Sequence, residues 1–208
     1  NGSKNAAHLE RGFACFEAEL YKNLAVSVKK RPITQPAAPV KDCTIQKGEI
    51  DMRILVVSDT HRDFSALHHA VQTQPKAEIV LHLGDGGRGA DADKPMFPEK
   101  MIVGVRGNCD FGSLLPWEEE LSVEGKKIFF THGYTYQVKM TLYNLECAAR
   151  DRKADIALYG HTHQAEIETG DGLYLMNPGS LHGSYGTYGI IDITPAGLVP
   201  NIVKNYRD

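Results

Sequence analysis

Five short apolar runs in this chain each end in a residue that can bind a metal ion, and that recurrence limits the folds open to it. Residues 54–57 run into Asp59 and His61, 78–83 into Asp85, and 101–105 into Asn108; 126–131 run into His132, and 155–159 into His161 and His163. Runs of this length, rich in Val and Ile, are buried-strand signals and too short for helices. Asp59 and His61 stand i, i+2, which puts both side chains on one side of an extended backbone. Ligands of open α/β sheets bind outside the carboxyl ends of the strands. Solvated loop residues would instead scatter among strand starts, strand ends and helix faces. Gly84, Gly107, Gly133 and Gly160 beside the polar tips permit tight turns with little obstruction.

Helical periodicity fills the gaps. Asp63 is the expected N-cap of a helix through about Gln74, with Phe64, Leu67 and Val71 on one face. Val138, Leu142, Leu145 and Ala149 mark a second helix closing near Lys153. Residues 117–123 and 126–131 read as a hairpin about Glu124-Gly125, with Trp117 in its core. A strand-only tail follows residue 163, with a hairpin about Gly170-Asp171-Gly172 and strands near 188–193 and 198–204. Helix–strand alternation before a β-rich end predicts an α/β fold of stacked layers with mixed sheets. Residues 86–98 form a Gly- and Pro-containing loop expected to help choose the substrate.

Residues 1–51 read differently. Leu9, Phe13, Phe16, Leu20 and Leu24 have helical spacing, and Pro32, Pro36 and Pro39 mark an extended linker. Met52 stands just before the first strong strand, so 52–208 is read as the functional domain and 1–51 as an N-terminal extension. That extension is expected to be an appendage or a misread upstream region, with partner binding by its helix as the alternative.

The candidate ligands are two carboxylates, one amide and four imidazoles. That set exceeds one tetrahedral zinc and suits two ions of higher coordination sharing a carboxylate. Two such ions lie ~3.5–4 Å apart, lower the pKa of a bridging water and clamp the attacking and leaving oxygens at phosphorus. Two dications, two carboxylates and a hydroxide leave a net positive charge, which fits an anionic phosphate ester better than a carbonyl substrate. The formal net charge of −3 gives no basic footprint, so strong nucleic-acid binding is not expected. No apolar run approaches the ~20 residues of a membrane span. Cys15, Cys43, Cys109 and Cys147 show no paired spacing, and with no export signal the expected location is cytoplasmic.

The ordered set Asp59-Thr60-His61, Gly84-Asp85, Gly107-Asn108-Cys109-Asp110, His132 and Gly160-His161-Thr162-His163 resembles the calcineurin-like metallophosphoesterase superfamily. The Gly-Asn-Cys-Asp form and Asn177-Pro178-Gly179-Ser180 are similar to its small YfcE-type phosphodiesterases. The resemblance implies a four-layer α/β/β/α sandwich with two mixed β-sheets. It also implies one ion on Asp59, His61 and His163, a second on Asn108, His132 and His161, and Asp85 bridging them. Asp85, Asn108, Cys109 and Asp110 become the catalytic candidates, with Asp110 orienting a ligand rather than binding metal. Most of the superfamily has histidine where this chain has Cys109, and an ordinary thiol is a poorer proton donor to the leaving oxygen. Modest rates and a preference for diesters with good leaving groups follow. Cys109 is read as an inert pocket-lining thiol, with oxidation sensitivity as the alternative.

Arg62 and Arg106 adjoin ligand motifs and are candidates for neutralising phosphate oxygens, with solvated arginine as the competing reading. His182 is a third substrate-binding candidate, although turn chemistry already explains Asn177, Pro178 and Gly179. His68 and His69 are expected to be solvated or packed on the first helix, and His82 to pack within its strand. The expected function is dinuclear phosphodiester hydrolysis, a bridging hydroxide attacking phosphorus in line on a small phosphodiester. Mn²⁺ is the expected metal, with Zn²⁺, Fe²⁺ and Ni²⁺ compatible. A homo-oligomer, dimer or tetramer, is compatible with it. A phosphomonoesterase or nucleotidase with the same site is the first alternative. The second is a protein-binding scaffold like the retromer subunit that shares the fold.

Overall fold

The first strand, β1 (Met52–Val57), is buried on both faces, which is why its sequence is apolar without alternation. In the computed structural model, which describes residues 52–87 and 96–207, β1 lies at the centre of a five-stranded sheet. It pairs in parallel with β2 (Ile79–His82), which pairs in parallel with β3 (Met101–Gly104). On its other side run antiparallel β9 (Thr187–Thr194) and β10 (Gly197–Lys204). A second five-stranded sheet has the order β4 (Glu118–Val123), β5 (Lys126–Thr131), β6 (Ile156–Leu158), β8 (Leu173–Pro178), β7 (Ala165–Gly170). Strands β5, β6 and β8 are parallel, with β4 and β7 as antiparallel edges.

The two-residue period of a strand sorts the core into three clusters. Leu55 and Val57 face α1 (Phe64–Thr73), whereas Ile54 and Val56 meet Ile128, Phe130, Ile156 and Leu158 between the sheets. Phe129 and Ala157 face α2 (Tyr143–Asp151) through Leu145 and Ala149. Helix, sheet, sheet and helix therefore stack as four layers, the expected α/β/β/α sandwich.

Local departures have local causes. Asp63 caps α1, its Oδ1 accepting from the Ala66 N–H at 3.0 Å. The buried stripe is Ala66, Leu67, Ala70 and Val71. Phe64 sits roughly a quarter turn outside it and is 36% exposed rather than on the packed face. The second helix begins at Tyr143, not Val138. Gly133 and Gln137 both adopt left-handed backbone, so the chain first makes a 3₁₀ turn at Tyr134–Tyr136. Val138 is still buried against Leu145, but from a turn. Trp117 is not hairpin core: it precedes β4 and is 38% exposed. The helix expected from the spacing of Leu9 to Leu24, the linker of Pro32, Pro36 and Pro39, Cys15, Cys43 and residues 88–95 of the expected loop lie outside the described residues.

Candidate metal centre

Because β1, β2 and β3 are parallel, and β5 and β6 likewise, each set brings its carboxyl ends to one edge. Backbone pairing continues past the strand ends and fixes the tips. The Asp59 N–H donates to Gly84 O at 3.0 Å, that of His61 to Asp85 O at 2.9 Å, and that of Gly160 to His132 O at 3.1 Å. Two further bonds cross between the sheets: His161 N–H to Asp59 Oδ2 at 3.1 Å, and His132 Nδ1 to Leu83 O at 2.8 Å.

Asp59 and His61 do converge, but not through extended backbone as their spacing implied. Asp59, His61, Asp85, His161 and His163 all have positive φ, between 45° and 68°. Asp and His tolerate that region better than most residues. Each such residue stores about 1–3 kcal/mol that the surrounding bonds must offset, a pattern that gathers at functional sites.

The donor atoms form two groups that share Asp59: Asp59, His61 and His163, and Asp59, Asp85 and His132, with all atoms of a group within 4.8 Å of one another. His61 Nε2 is 3.5 Å from His163 Nε2, and His132 Nε2 lies 3.1 Å from Asn108 Oδ1 and 3.5 Å from Asp85 Oδ2. His132 Nδ1 is committed to a backbone carbonyl, which leaves the Nε2 lone pair for a ligand. Asp59 is fully buried, and its Oδ1 accepts no hydrogen bond although His163 Nε2 is 3.1 Å away. A buried, unsatisfied carboxylate oxygen among imidazole nitrogens is costly unless a cation meets it. The donor set fits a borderline dication. His161 belongs to neither group, but its ring stands edge-on to His132 with centroids 5.0 Å apart. Burial, then His132 and Lys139, lowers the His161 pKa and favours the neutral ligand form.

Around these donors lies a shell whose importance was only partly readable. Buried Asp110 accepts N–H bonds from Asp85 and Gly107, each at 2.8 Å, and from Gly87 at 2.7 Å. Asp85 Oδ1 accepts from the Cys109 N–H at 2.8 Å. A Cβ on Gly107 would lie 2.0 Å from Asp85 Oδ1, so only glycine lets the two loops pass this closely. His82 does more than pack: its Nδ1 accepts from the Gly84 N–H, and its Nε2 lies 3.1 Å from Thr60 Oγ1. Burial pushes that imidazole down to about 4, so it stays neutral in this role. Asn177, which read as a turn residue, is buried and donates from Nδ2 to Gly160 O and Thr162 Oγ1, holding the loop of His161 and His163.

His182 is exposed, its ring centroid 6.0 Å from that of His61. Arg62 is exposed and lies against Gly87. Arg106 places its guanidinium 4.4 Å from the Trp117 ring centroid. Cys109 is exposed, and burial followed by the Asp85 carboxylate pushes its thiol up to about 11. A thiol held that high is protonated at neutral pH. His68 and His69 are surface-packed as expected, on Phe97 and Asn205 respectively. No helix among the described residues is long and apolar enough to cross a membrane.

Comparison with known proteins agrees with this geometry. Residues 52–195 match the model of the calcineurin-like phosphoesterase superfamily domain. The chain is 31% identical over 135 residues to the probable metallophosphoesterase YsnB of Bacillus subtilis, covering 62% of this chain and 75% of that one. It is 28% identical over 170 residues to the phosphodiesterase YfcE of Escherichia coli, covering 68% and 88%. The structure of a predicted phosphoesterase of Streptococcus pneumoniae superposes with a TM-score of 0.65 at 26% identity, over 74% of this chain and 90% of that one. The chain therefore belongs to the calcineurin-like phosphoesterase superfamily, a metal-dependent family of phosphoric ester hydrolases, alongside small members such as YsnB and YfcE.

Proposed function

We propose that the chain is a dinuclear phosphodiesterase acting on small phosphodiesters. The observation that carries this is the unsatisfied, buried Asp59 Oδ1 at the junction of two donor groups drawn from both sheets. Asp59, His61 and His163 would hold one ion and Asn108, His132 and His161 the other, with Asp85 between them. Asp85 suits that place because its Oδ2 approaches His132 while Oδ1 is fixed by the Cys109 N–H. When bound, the ions supply an activated water for in-line attack at phosphorus and positive charge for the ester oxygens. Mn²⁺ is the first choice for an oxygen–nitrogen donor set of high coordination.

The chain's own groups then divide the remaining work. The Asp110 carboxylate holds the Asp85 and Gly107 backbone in register, so Asp85 presents one fixed oxygen. Arg62, beside Gly87, and His182, whose ring lies 6.0 Å from that of His61, are the side chains that would meet a phosphate oxygen. A protonated thiol at Cys109 gives a leaving alkoxide little help, which favours esters whose leaving group departs unaided. A diester preference draws support from the phosphodiesterase YfcE.

The test is hydrolysis of bis(p-nitrophenyl) phosphate and p-nitrophenyl phosphate in excess Mn²⁺, by wild type and by Asp85→Asn. Diester turnover above monoester turnover, lost by at least about a hundredfold in the variant, is expected. A faster monoester would make the protein a phosphomonoesterase, and unchanged turnover in the variant would remove catalysis from this site.

A further inference from the structure

Beside the donor cluster lies an aromatic surface that the metal chemistry leaves unused. Tyr134 is 52% exposed, and its ring meets that of His161 edge-on with centroids 5.4 Å apart. Trp117 continues the surface, its ring within 25° of parallel to Tyr134 at 6.4 Å, and Arg106 covers the Trp117 ring at 4.4 Å. These residues come from three separate strand ends, and their backbones are anchored. Arg106 N–H donates to Pro116 O at 2.9 Å, and Thr131 Oγ1 donates to Trp117 O at 2.9 Å. The left-handed Gly133 then turns the chain between His132 and Tyr134. Two large, partly exposed and nearly parallel rings thus adjoin a candidate phosphate site, and aromatic faces of this kind bind planar groups well.

We infer that Tyr134 and Trp117 form a stacking shelf for a planar ring on one ester arm of the substrate, a nucleobase or an aryl group. This deepens the phosphodiesterase reading and rests on it for where the phosphate sits. Phosphate at the donor cluster would place the neighbouring ester arm over Tyr134. Stacking on an aromatic face tolerates any base identity, because every base offers a π-face. The guanidinium of Arg106 favours the electron-rich face of a second ring beside Trp117. Tyr134 and Trp117 are thus binding residues, outside the reacting atoms.

Trp117 is the chain's single tryptophan, so its fluorescence reports the shelf directly and without turnover. Thymidine monophosphate, phenyl phosphate and methyl phosphate are titrated into the full chain at constant Mn²⁺, with emission excited selectively from tryptophan. Thymidine monophosphate is expected to quench Trp117 and bind roughly tenfold more tightly than methyl phosphate. Tyr134→Ala should bring that ratio close to one, and Tyr134→Phe, which keeps the ring, should preserve it. Phenyl phosphate matching thymidine monophosphate assigns the shelf to a simple aryl arm, and weaker binding assigns it to a nucleobase; both keep the shelf. Equal binding of methyl and thymidine phosphates to wild type, or a ratio that survives Tyr134→Ala, overturns it. Bis(p-nitrophenyl) phosphate hydrolysis measured in parallel separates the two ideas. Turnover without ring preference rejects the shelf alone, and ring preference without turnover rejects the hydrolase reading alone.

Discussion

Asp110 is the residue on which the bridging role of Asp85 depends, and Asp110→Asn perturbs it with almost no change in volume. The carboxylate is 2% exposed and accepts three backbone N–H bonds, two at one oxygen and one at the other. The amide can keep only one acceptor, which will stay on the Asp85 and Gly107 N–H groups. Its NH₂ then faces the Gly87 N–H, donor against donor. Hydrogen bonds to a charged group contribute about 1.5–3 kcal/mol and neutral ones about 0.5–1.5 kcal/mol. Losing the Gly87 bond and the charge assistance of the other two therefore costs about 4–5 kcal/mol. For a domain of this size, that lowers the melting temperature by roughly 10 °C. The loosened Asp85 loop should also weaken Mn²⁺ binding and kcat/KM for bis(p-nitrophenyl) phosphate by about 10–100-fold. Thermal melts of the chelator-treated chain give the first quantity, and Mn²⁺ titration of activity the second. A melting temperature within about 2 °C of wild type, together with unchanged Mn²⁺ dependence, would refute the reasoning.

Two other sites give separable expectations. Burial raises the Asp63 carboxyl pKa, but bonds from Arg207, Ser65 and the Ala66 and Gly183 N–H groups outweigh it and hold the group well below the usual range. A depressed folded pKa gives stability that is present above the unfolded value, about 4, and lost as pH falls. Asp63→Asn should therefore cost about 2 kcal/mol at pH 7, and less as pH drops toward 3, where the unfolded carboxyl protonates; a gap equal at both pH values in urea unfolding would exclude the ionised carboxylate as its source. A Cβ at Gly160 would lie 1.9 Å from Ser58 Oγ and 2.8 Å from Asp59 Oδ2, forcing Ser58 to abandon its 2.6 Å bond to Asp59. Gly160→Ala should destabilise by about 1–3 kcal/mol and weaken Mn²⁺ binding, with Ser58→Ala in the same background recovering part of the loss, since Ser58 Cβ and Asp59 Oδ2 still crowd the new methyl. Failure of that rescue in thermal melts would show the strain lies elsewhere.

What the sequence disclosed follows from where polarity interrupts apolar runs. The strand Met52–Val57 was readable because both its faces are buried, and Asp59 and His61 because they break the run abruptly. The turns at Glu124-Gly125 and Asp171-Gly172 take positive φ at all four residues and were readable from the types that favour it, Asp171 and the two glycines. Which backbone N–H groups converge on Asp110 was not, since those of Asp85 and Gly87 come from a loop more than twenty residues away. Trp117 misled because its stacking partner, Tyr134, follows a different strand. The start of the second helix misled because apolar spacing from Val138 is blind to the left-handed Gln137 just before it. Asn177 already had a sufficient explanation as a turn residue, which hid its grip on the Gly160–Thr162 backbone.

The central claim, a pair of cations in one pocket spanned by Asp85, is tested most directly by anomalous diffraction from crystals of the Mn²⁺-loaded chain. Two manganese peaks ~3.5–4 Å apart, one beside Asp59 and His163, the other beside Asn108 and His132, with Asp85 touching both, are the expected result. A single peak, or peaks that Asp85 does not reach, would contradict it.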